Sequence, residues 1–139
     1  MSDSQKFPVA AHTLAYLAHR QAYSREQAVS SSVLAASIPT NPVVIRRMTT
    51  QLSQAGLLAT CSGVTGGAWL LKPANEITLD QVLNAVEVNA NFGRPNMGAE
   101  GCPISQAIPK AVVEAMKGAD AAALAHLSQV TVADLLKYS

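Results

Sequence analysis

Charged residues make up only 14% of this 139-residue chain, aromatics 4%, and cysteine occurs twice, as Cys61 and Cys102. Two cysteines are too few for a disulfide framework or for a four-thiolate metal site supplied by one chain. His12, His19 and His126 lack metal-ligand spacing, so no metal site is expected. No window approaches 18 uninterrupted apolar residues, which excludes a membrane-spanning helix. The opening MSDSQKFPVA lacks the basic and apolar regions of a secretory signal and predicts a cytoplasmic address. A glycine-rich phosphate motif, a serine elbow and a nucleophile with an adjacent base are all missing, so catalysis is not expected. What is present is apolar: hydrophobic residues reach 49%, enough for the core of one small domain and too many for a disordered tail.

The net charge of +1 conceals an asymmetry. Residues 1–75 carry Lys6, Arg20, Arg25, Arg46, Arg47 and Lys72 against Asp3 and Glu26, a balance of +4. The remainder sets Arg94, Lys110, Lys117 and Lys137 against seven acids, a balance of −3. From Gln27 to Asn75 there is no carboxylate at all, which makes the first half the candidate polyanion-binding half.

Hydrophobic periodicity predicts a first helix over 7–19, with Val9, Ala10, Leu14, Leu17 and Ala18 at spacings of three and four. QAYSREQA is loop-like. Ser30 to Ser32 can cap a short helix through Ile38, which Pro39 limits. Asn41 suits an N-cap with Pro42 at the first helical position, opening a helix to Ala55 that Gly56 closes. Its expected apolar face is Val44, Ile45, Met48, Leu52 and Ala55. Two short helices joined by a turn read as a helix-turn-helix. Residues 57–62 and 68–72, separated by Gly63 to Gly67, read as a hairpin, so the pair is of the winged form. Thr78 is expected to cap a helix through Val86.

The segment 88–101, VNANFGRPNMGAEG, reads as a mobile loop closed by Cys102 and Pro103. Beyond it Ile104, Ile108, Val112, Met116, Ala119, Ala123 and Leu127 trace one stripe along a helix, with Pro109 marking a break or restart. A stripe of this kind outside the winged unit needs a partner, and a second copy of the chain is the simplest one. TVADLLKY reads as a short capped helix whose Val132, Leu135 and Leu136 dock on an apolar surface. The fold class is therefore mostly α with a small β-hairpin. A winged helix-turn-helix domain occupies 1–87, a sensor-type loop 88–103, and a long C-terminal dimerisation helix with a terminal segment 104–139.

The run SIPTNPVVIRRMTTQLSQAGLLATCSGVTGGAWLLKPANEITLDQVLNAVE closely resembles the Rrf-two (Rrf2) family of bacterial winged helix-turn-helix regulators, which includes the iron-sulfur cluster regulator and the nitric-oxide-sensing repressor. The specific parts are TNPVVIRR, QAGLL, GVTGGAWLLKP and EITLDQVLNAVE, followed by GCPI and VTVADLL in the family's order. The resemblance implies a bacterial, nucleoid-associated homodimer joined by long C-terminal helices. Such a dimer binds palindromic promoter DNA, by default as a repressor, and often senses redox or nitrosative signals. Cluster-holding members use three cysteines before the dimer helix. Here Cys102 matches the last, and FGRPNMGAEG lacks the other two, so no iron-sulfur cluster is expected and the chain resembles the cluster-lacking branch.

If the 42–55 helix enters a major groove, Arg46 and Arg47 are the expected readers, since the guanidinium fork can donate twice to guanine or to one phosphate. Thr40, Asn41 and Thr50 can donate to phosphates or bases, and Pro42 and Val43 open the helix beside them. In the wing, Thr65, Gly66 and Gly67 would let the backbone approach a sugar-phosphate strand, with Lys72 behind. The expected dimer interface is Ile108, Val112, Met116, Ala119, Ala123 and Leu127. Cys102 is the candidate redox sensor, because a helix N-terminus favours the reactive thiolate. Cys61 reads as wing packing, and Trp69 suits wing packing, a subunit contact or an effector pocket. The alternative function is a winged-helix protein-interaction module that does not bind specific DNA.

Overall fold

The computed structural model describes residues 5–87 and 98–138. Helix α1, Lys6–His19, buries Val9, Ala10, Leu14, Leu17 and Ala18 as its periodicity requires, together with Thr13, whose hydroxyl donates to the Val9 carbonyl at 2.8 Å. The QAYSREQA stretch contains a single 3-10 turn, Arg25–Gln27. Helix α2, Ser31–Ser37, starts where the Ser30 hydroxyl accepts the Val33 N–H at 3.2 Å. Helix α3, Pro42–Gln54, starts where Asn41 Oδ1 accepts the Val43 N–H at 2.8 Å, with Pro42 in its first turn. Its end is a Schellman turn: Gly56 takes φ +78°, the Leu57 N–H reaches back to the Leu52 carbonyl and the Gly56 N–H to that of Ser53.

The face of α3 that meets the core differs from the sequence expectation. Ile45, Met48, Thr49 and Leu52 are buried, while Val44 and Ala55 are exposed. The buried stripe follows the i, i+3, i+4, i+7 spacing from Ile45, so Thr49 enters it in place of Val44. Thr49 tolerates burial because its hydroxyl donates to the Arg46 carbonyl at 3.1 Å.

Strands β1, Leu58–Cys61, and β2, Gly67–Leu70, pair antiparallel with Leu58 opposite Leu70 and Cys61 opposite Gly67. Gly67, expected in the turn, belongs to the strand. A third element joins this wing: Val29 bridges to Ala68. Its buried apolar residues join those of α1, α2 and α3 in one core.

Helix α4, Leu79–Val86, has Thr78 at its N-cap position, but the cap works differently from expectation. The Thr78 hydroxyl donates to the Asp80 carboxylate, and the first helical N–H, that of Leu79, is satisfied by the Val130 carbonyl at 2.9 Å. The expected sensor loop lies, over 88–97, outside the described residues. Helix α5, Pro103–Leu127, runs 25 residues without interruption. Pro109 therefore does not break it. The proline sits seven residues in and leaves the Ser105 carbonyl without its helical N–H. Gly98 packs against that same carbonyl.

After α5 the chain returns to the winged unit. Thr131 bridges to Thr78, the Val132 N–H donates to the Ile77 carbonyl, and Val132 is fully buried where this segment packs on α1 and the turn at 74–76. Helix α6, Val132–Leu135, carries a full capping box, Thr131 with Asp134. The C-terminal segment thus belongs with the winged domain rather than with the α5 arm. Leu127 does too, since it packs on the same core.

Candidate nucleic-acid interface

A helix with one buried stripe presents the opposite stripe to solvent, and on α3 that stripe begins at Val43 and Arg47, one turn apart. Arg46 and Arg47 are both exposed, and neither guanidinium has a hydrogen-bond or ion-pair partner among the described residues. Arg20 differs: its guanidinium bonds the Tyr16 hydroxyl at 2.9 Å and lies 5.7 Å from that ring. Val43 is 43% and Val44 38% exposed, an unusual pair of bare apolar side chains at the start of a helix.

Between α3 and the wing lies a concave cleft of about 550 Å³. One wall is α3, through Arg46, Thr49 and Thr50, and the other is the hairpin from Thr60 to Gly67, with Ser30, Ser31 and Ser32 closing one end. No lining residue is acidic, and Arg46 is the one charged group among them. Arg47 does not line the cleft. The two neighbouring arginines therefore face different surroundings.

The expected site residues divide accordingly. Asn41 uses its side-chain oxygen to cap α3, leaving its amide hydrogens to face outward. Thr40 is half-buried before it. Thr50 is exposed, yet its hydroxyl hydrogen is committed to the Arg46 carbonyl at 2.9 Å, so the expected donation outward is replaced by acceptance. Thr65 is exposed in the wing turn, and Val64 beside it projects fully into solvent. Gly66 and Gly67 have an intramolecular reason to be glycine. A Cβ on Gly66 would stand 2.6 Å from the Cys61 carbonyl oxygen, and one on Gly67 would collide with the Val29 carbonyl and stand 2.9 Å from the Ser30 nitrogen. Lys72 is half-buried beyond the end of β2, at the base of the hairpin, and does not reach the cleft.

Sequence reasoning missed Ser31, Ser32, Thr60 and Ser62 as cleft residues. The signal available was the density of hydroxyls inside the acid-free stretch. Cys61, read as packing, is half-buried and lines the cleft. Trp69 is half-buried, stands opposite Ala59 and packs against the core.

Cys102 occupies the N-cap position of α5, half-buried, with its backbone carbonyl accepting from Gln106. On α5 no side chain is buried: Ile104 is 69%, Ile108 55% and Val112 45% exposed, while Met116, Ala119 and Ala123 are half-buried. Among the described residues no helix is long and apolar enough to cross a membrane.

A family model described as Rrf2, iron-dependent transcriptional regulator, matches residues 3–138. YwnA of Bacillus subtilis (strain 168), which bears the name of an HTH-type transcriptional regulator, is 30% identical over 139 residues, covering 97% of each chain. The crystal structure of a protein described as a transcriptional regulator from Lactobacillus plantarum aligns with a TM-score of 0.77 at 30% identity, covering 96% of this chain and 88% of that one. IscR of T. potens shares the fold, with a TM-score of 0.66 at 20% identity over 99% of this chain and 87% of that one. The iron in the family description is a test for the donor set. No group of three His, Cys, Asp or Glu among the described residues is placed to hold a metal ion, and 88–97 contains none of these residue types.

Proposed function

The chain belongs to the Rrf2 family of DNA-binding transcriptional regulators, and from that premise we propose that it is a homodimeric repressor that reads a palindromic operator in the bacterial cytoplasm. The observation that carries this reading is the pair of exposed, unpartnered guanidiniums of α3, Arg47 on its solvent stripe and Arg46 on the flank in an acid-free cleft. With α3 in the major groove, the wing turn falls along the adjacent backbone strand and Ser30 to Ser32 lie at the edge of the same strand.

One copy offers few cations, so affinity depends on two. The exposed Ile104, Ile108 and Val112 of α5 are the surface that a second copy would cover, placing the two recognition helices on half-sites about one helical turn, ~34 Å, apart. Binding of the dimer over a promoter excludes polymerase, which is repression. This member works without a resident iron-sulfur cluster, and its signal enters through Cys102, where oxidation of the thiol would disturb the start of α5 and so the spacing of the pair.

Selection of bound fragments from genomic DNA by the purified full-length protein, reduced and oxidised in parallel, tests the reading. The expected result is enrichment of a palindrome, with log affinity falling against log salt at a slope of about −5 if six phosphates are neutralised. A slope near zero, or equal competition by random DNA, overturns it in favour of a protein-interaction module. Release that is identical in wild type and Cys102→Ser under both redox conditions removes the sensor role alone.

A further inference from the structure

Arg46 and Arg47 are adjacent in sequence and both exposed, yet their surroundings are unlike. Successive helical residues are about 100° apart around the axis. The buried centre of α3 lies between Ile45, Met48, Thr49 and Leu52. Opposite it stand Val43 and Arg47, neighbours on the outer face because they are four residues apart. Arg46 is on the flank, in the row of Thr49 and Thr50, and is the charged wall of the cleft that separates α3 from the wing. When a recognition helix fills a major groove and its wing lies alongside, the ridge between helix and wing is a sugar-phosphate strand. The groove floor, with its base edges, faces the apex of the helix.

We propose that the two arginines divide the work: Arg46 holds a phosphate in the cleft and carries no sequence information, while Arg47 and Val43 read adjacent bases. The inference rests on the DNA-binding reading above and refines it. Arg47 donates bidentately to the O6 and N7 of a guanine. Val43 presents bare methyl groups, and the apolar mark in the major groove is the thymine C5-methyl. Four residues of α-helix rise about 6 Å, and bases along one strand are separated by about 3.4 Å. The thymine and the guanine therefore lie within about two base pairs of each other in each half-site. The exposure of Val43 in the free protein is then explained by what covers it, a methyl group of the operator.

The test uses duplexes recovered from a random-sequence pool with the full-length protein, resynthesised with single thymine-to-deoxyuridine or guanine-to-7-deazaguanine replacements. In the wild type one deoxyuridine position per half-site should weaken binding about fourfold, the value of one buried methyl-sized group. A 7-deazaguanine within two base pairs should weaken it about tenfold or more. Val43→Ala should abolish the first sensitivity and keep the second. Arg47→Ala should lose the 7-deazaguanine sensitivity while changing the salt slope less than Arg46→Ala does. Arg46→Ala should weaken selected and random duplexes by the same factor and reduce the salt slope by about 1 per protomer. Indifference of the wild type to every deoxyuridine, or loss of sequence discrimination in Arg46→Ala with discrimination kept in Arg47→Ala, overturns the division of labour while leaving DNA binding intact. Failure of the pool to yield any enriched sequence overturns the DNA-binding reading itself, and this inference with it.

Discussion

Val29 and Ala68 exchange two backbone hydrogen bonds, each 2.9 Å long, and so fasten the wing to the residue that precedes the helix-turn-helix. The pairing is possible because the next wing residue is Gly67, whose missing Cβ leaves room for the Val29 carbonyl.

Gly67→Ala should therefore act at a distance from any ligand. Backbone atoms of Val29 and Ser30 cannot swing aside as a side-chain tip can, so the expected loss is about 1–3 kcal/mol, read as a lower midpoint in thermal or urea unfolding. Because the wing is displaced from α3, DNA affinity should fall with stability. Unchanged unfolding would show that the bridge is dispensable.

Val132 lies beyond the long helix, yet it is fully buried in the winged core. Val132→Ala removes two methyl groups' worth of burial and should cost about 1–3 kcal/mol. A chain stopped after Leu127 should fare worse, because the Leu79 N–H and the Ile77 carbonyl lose their partners in residues 130–132. Circular dichroism of the shortened chain checks this. A native melting curve would contradict the assignment of the segment to the core.

The capping box at α6 gives a pH dependence. The Asp134 carboxylate accepts the Thr131 backbone N–H at 2.9 Å, pairs with Lys137 at 3.0 Å and is aligned with the Thr131 hydroxyl. These contacts, the backbone N–H first, hold its pKa below the ordinary carboxyl value of 3.8. A lowered pKa means that the folded state binds the proton less readily than the unfolded one. The stabilisation is thus complete above the ordinary value and is lost as pH falls through it. The stability difference between wild type and Asp134→Asn should be constant at neutral pH and shrink on acidification below 3.8. A difference that grows on acidification would refute the sign.

Val112 is 45% exposed in the middle of the α5 stripe. In the dimer proposed above, Val112→Glu would place a carboxylate from each copy at the shared apolar seam. The mass in solution should fall to that of one chain. Operator affinity should drop at least tenfold, about 1.4 kcal/mol, with the unfolding midpoint little changed because nothing on α5 is buried in the single chain. Analytical ultracentrifugation alongside DNA titration tests both, and a variant that stays paired would remove α5 as the seam.

Local rules carried much of the fold. Asn41, Pro42 and Gly56 act through bonds within a few residues of themselves, so the bounds of α3 could be read directly, as could the hairpin and the Thr131 cap. What stayed hidden depended on distant partners. Val29 carries no local sign of a strand because its partner, Ala68, is far along the chain. Thr78 looked like a hydroxyl cap because the carbonyl that serves Leu79 comes from Val130. The site was legible at its charged residues, where composition alone points to Arg46 and Arg47. Their unequal surroundings were not, since the cleft exists only when α3, α2 and the hairpin meet. Gly66 and Gly67 were expected to admit a sugar-phosphate strand, and the close neighbour that each has in the fold is the protein's own backbone.

Helix α5 comes back to the winged unit at Val130 to Val132, so its C-terminal end is anchored rather than free. A tilt applied to its exposed length by a second copy, in the pairing proposed above, would be absorbed at the seam where the returning segment clasps the start of α4. From there it passes to α1 and α3, which share that core. In the dimer proposed above, the pairing of two copies and the pitch of α3 would in this way be mechanically coupled through residues 130–132.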